Sequence, residues 1–394
     1  MNKTTATPPP GHVASPARDH RLRIAFVTET WHPHVDGIVT RLSHTVHELR
    51  RQGHEVLVVA PTGEPTYEGA QVVTVAGFGV PFIYGGKRWG LPTARVDTAL
   101  DRFGPDVVHA VGPFLLGMGA VRWARRHRRP LVCSYRTRIA RYARHYHVGF
   151  AEELAWWQMR RLHSAADVNL AASDWAALEL GFHGIPGAAV WRGGVDFDLF
   201  HPMRGSLSMR ERITRGRPER AVLLYVGRLA SEKGLERLLP LVSGRADRHL
   251  VLVGDGPDRA RLERLFAGTN TTFMGLLLPR AVADACTSSD VFVFPSTTDT
   301  LGLVVLEARA AGLPVVVPGT ENGAELLAGS RYGDIFNPEL EGDLERAVRG
   351  VLDVRPSRLA VSEEARRRYL GWRECTDSLL AHYQEALLAQ PSPR

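Results

Sequence analysis

At 394 residues the chain is too long for one hydrophobic core of ordinary size, so two domains are expected. Its 44% apolar and 23% charged residues are those of a soluble globular protein. No apolar run reaches the roughly 18–20 residues that a membrane-spanning helix needs, which excludes that class. The formal charge of +7 rests almost wholly on arginine, with lysine nearly absent. It suggests phosphorylated ligands, nucleic acid or an acidic membrane surface, although compositional drift gives the same excess.

The first twenty residues, rich in Pro, Thr and Ser, lack the apolar stretch of a secretory signal and read as a disordered tail. Next, "RIAFVTET" (23–30), "GIVTRLSHTVHELRRQG" (37–53) and "HEVLVVAP" (54–61) spell strand, helix and strand, the opening of a parallel sheet. "PDVVHAVG" (105–112), "LLGMGAVRWARRH" (115–127) and "RPLVCSY" (129–135) continue that alternation. A helix over 150–165, a strand at "DVNLAAS" (167–173) and a helix start at Ser173, a candidate N-cap, close the first half.

After "VWRGGVDFDLFHP" (190–202) the grammar restarts. "AVLLYVGRL" (221–229) reads as a strand, "SEKGLERLLPLV" (231–242) as a helix, and "HLVLVGDGP" (249–257) as a strand. "DRARLERLF", "TTFMG", "DVFVFPS", "LVVLEARAAG" and "LPVVVP" prolong it to residue 318, and "WRECTDSLLAHYQEALLA" (372–389) is a last amphipathic helix. The expected division is a tail (1–20), an acceptor-side block (21–195), a donor-side block (196–371), and a crossover helix with its tail (372–394). Ligands of such sheets bind beyond the carboxyl ends of the strands. Cys133, Cys286 and Cys375 are too widely spaced for a disulfide framework or a CxxC metal pattern, and read as reduced thiols of a cytosolic protein.

Two stretches carry chemistry. In "YVGRLASEKG" (225–234) a strand ends at Gly227, and Arg228 and Lys233 flank the next turn as candidates for a diphosphate. In "TTDTLGLVVLEARAAGLPVVV" (297–317) Asp299 precedes Gly302, whose following amides at Leu303 and Val304 open a helix toward an anion. Eight positions separate Asp299 from Glu307, about 12 Å at helical rise. That is too far for the carboxyl pair of a retaining glycosidase, which lies about 5 Å apart. It suits two hydroxyl-bearing rings at opposite ends of a diphosphate; a capping Asp with a surface Glu is the plainer alternative.

These stretches, with "FMG" (273–275) and "GGVDFDLFHP" (193–202), closely resemble the retaining GT-B glycosyltransferases of family 4 over residues 23–389. "VTETWHPHVDGIVTRL" and "SYRT" resemble the branch of sulfoquinovosyl-diacylglycerol synthases and bacterial mannosyl- or glucosyltransferases. The resemblance implies two Rossmann-like α/β domains facing across a cleft, with the last helix crossing back to the first. It implies a nucleotide-sugar donor carrying UDP or GDP and a hydroxyl acceptor, whether a small secondary metabolite or an anionic lipid. It implies no tightly bound metal or cofactor. By resemblance Arg228 and Lys233 neutralise the leaving diphosphate, Asp299 holds the sugar hydroxyls and Glu307 binds the ribose. The backbone at Met274, Gly275 and Leu276 reads the base, and Gly37 lets the phosphates approach.

Two positions depart from the family pattern. Asp299 replaces the commoner Glu, and Arg136 in "SYRT" replaces the usual His near the donor sugar and phosphate. An arginine there stays charged and cannot act as a base. It is expected to pair with the diphosphate or with a carboxylate or sulfonate on the sugar, unless it is simply one arginine among many.

Weaker signals remain. "DFD" (196–198) spells a metal motif of another transferase fold but reads more simply as turn chemistry. His32 and His34 in "HPH" lack an evident third ligand; with His109 they are candidates to face an acceptor. Eleven arginines between 122 and 161, interleaved with Trp and Tyr, suggest peripheral contact with anionic lipid at the inner face of a membrane, or only a solvated face. No recognition module accompanies them, so nucleic acid is not expected, and the oligomeric state is left open. A donor-binding protein without transfer activity is the alternative function. A Rossmann oxidoreductase is disfavoured because no GxGxxG follows the first strand.

Overall fold

Strand β1 (Arg23–Thr28) buries both of its faces, with Ile24 and Phe26 in one apolar layer and Ala25 and Val27 in the other. A strand buried on both sides requires helices above and below it, the arrangement of parallel sheets. The computed structural model describes residues 21–34, 36–79, 88–136, 149–299 and 302–389. The expected tail and part of the arginine-rich stretch lie outside these residues.

From β1 the chain runs through α1 (Gly37–Arg51), β2 (Glu55–Ala60), β3 (Thr66–Tyr67) and β4 (Ala70–Thr74). A ribbon of β5 (Gly77–Gly79) and β6 (Arg88–Gly90) leads to α2 (Ala94–Phe103), β7 (Val107–Val111), α3 (Leu115–Arg126) and β8 (Leu131–Tyr135). Helix α4 (Gly149–His163), β9 (Val168–Ala171), α5 (Asp174–Phe182) and β10 (Ala189–Val190) complete the first half. Ser173 caps α5, its hydroxyl accepting from the Ala176 amide at 3.1 Å.

The second half holds α6 (Leu207–Ile213), β11 (Ala221–Val226), β12 (Arg248–Val253), α7 (Arg259–Leu265) and β13 (Thr271–Gly275). It goes on through α8 (Pro279–Thr287), β14 (Val291–Val293), α9 (Leu303–Ala310), β15 (Val315–Pro318) and α10 (Glu321–Leu327). Strand β16 (Gly333–Phe336), α11 (Asp343–Val354), α12 (Arg358–Arg368) and α13 (Trp372–Ala389) end it.

The first sheet has the order β10-β9-β8-β7-β1-β2-β4-β3, parallel except for β3 against β4. The second has the order β13-β12-β11-β14-β15-β16 and is parallel throughout. This is the doubly wound pattern, twice over. The stretch 231–242, read from sequence as an α-helix, forms two 3₁₀ turns, Ser231–Lys233 and Leu235–Leu241, on either side of Gly234 at φ 60°. Pro240 lies inside the second turn, where its missing amide works against a continuous α-helix.

Helix α13 returns to the first sheet. Trp372, Cys375, Leu379, Tyr383 and Ala386, spaced three and four apart, enter the layer containing Ile24, Phe26, Val107 and Val168. Beside this crossing runs the segment that leaves β10. Val195 pairs with Gly371 and donates to the Leu370 carbonyl at 2.9 Å, and the Trp191 indole donates to the Cys375 carbonyl at 3.0 Å. Among the described residues no helix is long and apolar enough to cross a membrane.

The crossing helix should carry stability in proportion to its buried face. Leu379→Ala, at a fully buried position, should lower unfolding free energy by about 2–5 kcal/mol. Leu388→Ala, 86% exposed on the same helix, should change it by about 0.5 kcal/mol or less in urea titrations.

Candidate active site

In the first sheet β1 lies between β7 and β2, and in the second β11 lies between β12 and β14. At each such point the chain winds away in opposite directions, leaving a crevice at the carboxyl ends of the strands. A cavity of about 550 Å³ opens there, lined from one half by the loops after β1, β7 and β8 and from the other by those after β11 and β14.

On the second-half wall, Lys233 Nζ lies 2.6 Å from Asp299 Oδ1, with side chains only 14% and 26% exposed. Burial disfavours both charges, yet the pairing overrides it: Lys233 is held above its usual range and Asp299 below. Arg228 pairs with Glu232, which is buried, and Tyr225 donates to the Arg228 carbonyl at 3.0 Å. Gly302 caps α9 at φ 66°, a left-handed conformation that glycine adopts freely, where a β-carbon would crowd the Phe294 ring at 3.4 Å. The Glu307 carboxyl, one turn into α9, is pushed up to about 7 by burial and by the neighbouring charge of Asp196.

The first-half wall begins with another helix start. Asp36 accepts from the Ile38 and Val39 amides at 2.9 Å each, capping α1. A β-carbon on Gly37 would lie 4.0 Å from Leu303, so the N-termini of α1 and α9 meet across the cleft. Two positive helix ends facing one cavity favour an anion between them. Behind them Arg41 and Arg136 both pack on the Trp191 indole.

The structure brings most of the sequence-predicted residues to this one cavity. His34, Gly37 and Arg136 line it from the first half. Gly227, Arg228, Lys233, Leu276, Asp299, Gly302, Leu303, Val304 and Glu307 line it from the second. Met274 packs into the second-half core, and Gly275 ends β13 without lining the cavity. His32 turns away to Ser43 at 2.8 Å and stacks on Tyr67. His109 is fully buried, bonded through Nδ1 to the Tyr383 hydroxyl at 2.8 Å; burial, then the charges of Arg136 and Arg41, hold it well below the usual histidine range. It ties β7 to the returning helix and does not face an acceptor. Asp196 of "DFD" accepts from the Asp198 and Leu199 amides at 3.1 and 2.8 Å, closing its own turn.

Several contributors escaped sequence reasoning. Arg41 and Trp191 meet 150 positions apart, and their only local signal is an arginine on the apolar face of α1. Asn322 donates its side-chain amide to the Asp299 carbonyl, so the loop bearing Asp299 is held from α10. Glu29, just past β1, accepts from the amides of Phe114, Leu116 and Gly117 at 3.2, 2.7 and 3.2 Å, at the start of α3. Burial nevertheless raises its carboxyl to about 7.

With the geometry in view, known proteins fall into line with it. Residues 35–199 match the model described as Glycosyltransferase Family 4, and residues 210–368 that of Glycosyl transferases group 1. A GDP-mannose-dependent alpha-mannosyltransferase of Mycolicibacterium smegmatis is 37% identical over 383 residues, covering 95% of this chain and 100% of the relative. Sulfoquinovosyl transferase SQD2 of Arabidopsis thaliana is 33% identical over 371 residues, covering 91% of this chain and 72% of its own. Among solved structures, sucrose-phosphate synthase from Thermosynechococcus elongatus superposes with TM-score 0.76 at 18% identity, over 94% of this chain and 100% of that one. Anabaena Alr3699/HepE in complex with UDP and glucose gives 0.73 at 16%, over 92% and 100%. These two likenesses show the fold.

Glu29 and Glu307 set a pH signature. Each has a folded carboxyl pKa raised to about 7 from 4.5, so the stability it contributes is full below pH 4.5 and is lost as pH rises through 7. Buried histidines titrate alike in wild type and variants and cancel in a difference. Glu29→Gln and Glu307→Gln should therefore match wild type near pH 4.5 and become relatively more stable above pH 7, measured by denaturant unfolding across that range.

Proposed function

The chain belongs to the family-4, group-1 glycosyltransferases, enzymes that draw on nucleotide sugars, and on that premise we propose a retaining hexosyl transfer from a GDP- or UDP-sugar to a hydroxyl acceptor. One observation carries this reading: the Lys233–Asp299 pair and Arg228 stand at the second sheet's crevice, beside the N-terminus of α9.

A donor arriving with its diphosphate at Arg228 and Lys233 would exchange partners with Asp299. The lysine, held by a carboxylate in the free protein, would turn to the phosphate oxygens. Asp299 would be left to accept from the sugar hydroxyls. Glu307 would hold the ribose, the backbone at Leu276, which of the three expected positions lines the cavity, would hold the base, and Gly37 would allow the phosphates near. Helix N-termini on both sides would complete the field around the departing charge. In this reading the leaving phosphate oxygen takes the acceptor proton, so no protein base is needed, and the diphosphate charge falls on side chains without a metal or cofactor step. Residues 21–195 would form the acceptor side and 196–371 the donor side.

Lysine at 233 is itself informative. The sequence has lysine elsewhere only at Lys3 and Lys87, against 49 Lys and Arg together. A compact ammonium fits between a carboxylate and a phosphate where a planar guanidinium would not.

GDP-mannose is the first donor to test, since the relatives at 37% identity are named for it. For the acceptor side, α4 exposes Leu154 at 53% and Trp157 at 50%, with the Arg161 guanidinium 5.7 Å from the Trp157 ring. Leu178 and Phe182 are exposed on α5. We assign this basic and apolar face to peripheral contact with an anionic lipid surface. Liposome sedimentation should show the protein bound to anionic vesicles at low salt and released at high salt; no binding at either would remove the assignment.

With GDP-mannose and UDP-glucose as donors, Lys233→Met should lower kcat/KM by about 10²–10³-fold. Lys233→Arg should not restore it. Glu307→Gln should act mainly on donor KM, whereas Asp299→Asn should act mainly on kcat. Proton NMR of the product should show the donor's own anomeric configuration, and inversion would reject the retaining reading.

A further inference from the structure

Helix α10 of the second half carries two polar side chains one turn apart, each with its own partner. Asn322 donates to the Asp299 carbonyl and so supports the loop that bears a site carboxylate. Glu325 reaches across to the first half. Its Oε1 accepts from the Asp174 amide at 3.0 Å and its Oε2 from the Trp175 amide at 3.2 Å, the first two amides of α5. Such amides have no acceptor within their own helix, and Ser173 already serves the third. Arg192, in the segment leaving β10, adds a guanidinium 3.4 Å from Glu325 and pairs also with Asp174.

One carboxylate of the second half is therefore held by three donors of the first. Its charge meets the positive end of α5, and two oxygens on two successive amides fix α10 against α5 in separation and orientation. Asn322 also touches the first half, its Oδ1 lying 3.5 Å from the Ser173 hydroxyl. The contact is not packed core. The Glu325 side chain is 24% exposed and borders a second cavity of about 360 Å³, lined also by Ser173, Arg192 and Asn322. Polar bonds that water can reach break and re-form, as contacts between closing domains must.

We propose that Glu325 is a positioning residue for sugar transfer: its clamp on α5 sets the closure of the halves, and α10 passes that closure to Asp299 through Asn322. The inference rests on the nucleotide-sugar reading, in which Asp299 serves the transferred sugar. Opening the cleft frees α10 from α5 and loosens the support of the Asp299 carbonyl. The sugar is then gripped only while the acceptor half is in place. Arg228 and Lys233 belong to the stretch after β11, which no bond of the clamp reaches, so binding of the nucleoside diphosphate does not depend on it.

Substitutions from both halves test the clamp. Hydrolysis of GDP-mannose and UDP-glucose to free sugar and nucleotide gives the rate, calorimetry with GDP and UDP the binding, and small-angle X-ray scattering the closure. Glu325→Ala removes the carboxylate. Asp174→Pro removes a donor from the other side, at the first position of α5, which tolerates proline. Ser173 before it is extended, at φ −152° and ψ 166°, as proline requires of its predecessor. Both variants should slow hydrolysis about tenfold or more and raise the radius of gyration, with affinity for GDP and UDP unchanged. The double variant should be no slower than the slower single one. Glu325→Gln, whose amide oxygen still accepts, should recover part of the rate, and Asp174→Ala, which keeps the amide, should match wild type.

Wild-type rates in Glu325→Ala or Asp174→Pro, or an unchanged scattering profile in both, would overturn the proposal, while GDP or UDP binding would still uphold the nucleotide-sugar reading. A loss of GDP and UDP affinity equal to the loss of rate would also overturn it, by making Glu325 a support of the fold alone. Protein that binds neither nucleotide would overturn the nucleotide-sugar reading and this inference with it.

Discussion

Two chain crossings hold the carboxyl edges of the sheets face to face, and every contact across the cavity depends on them. At Val195 the chain leaves the first half, and at Gly371 it returns, paired side by side. Trp191 stands at the same place. Its indole donates to the Cys375 carbonyl, its carbonyl receives Arg41 and Arg136, and its ring lies against both guanidinium groups. The junction between the halves and the first-half wall of the site are therefore built from the same residues.

On the second-half wall Arg228 pairs with Glu232 and Lys233 with Asp299, an arrangement that adds little stability when buried. Such a pair does keep Lys233 charged and in place before any ligand arrives. On the proposed reading, a diphosphate entering the site would meet an ammonium already desolvated and oriented, and would displace a carboxylate left to serve at the sugar. Preorganisation of this sort lowers the cost of gathering charge around a leaving group. Asn322 extends the arrangement by one shell. It holds the Asp299 carbonyl from α10, while Ser173, the cap of α5 in the other half, lies 3.5 Å from its side-chain oxygen. The loop of Asp299 is thus linked by side chains to the closure of the halves.

Much of this was legible in the sequence because parallel-sheet strands are short, apolar and followed by glycine or turn residues. The stretches 23–30, 54–61, 221–229 and 271–275 became β1, β2, β11 and β13 with small shifts at their ends. Strands β3 to β6, of two to five residues, escaped because so few residues carry no periodicity. Lys233, Asp299 and Glu307 could be found because each follows a strand within one continuous motif. Arg41, Trp191 and Asn322 could not, since what defines them is contact between distant segments. His109, a candidate because its strand borders the cleft, lies in the middle of β7, and its ring turns into the layer covered by α13.

A crystal structure of the protein with GDP or UDP bound tests the central claim most directly. The account predicts diphosphate oxygens within about 3.2 Å of Lys233 Nζ and of the Arg228 guanidinium. The Lys233–Asp299 contact should be lengthened, and the ribose should lie on Glu307. A diphosphate seated on Arg41 and Arg136, or outside the cleft with the Lys233–Asp299 pair intact, would contradict it.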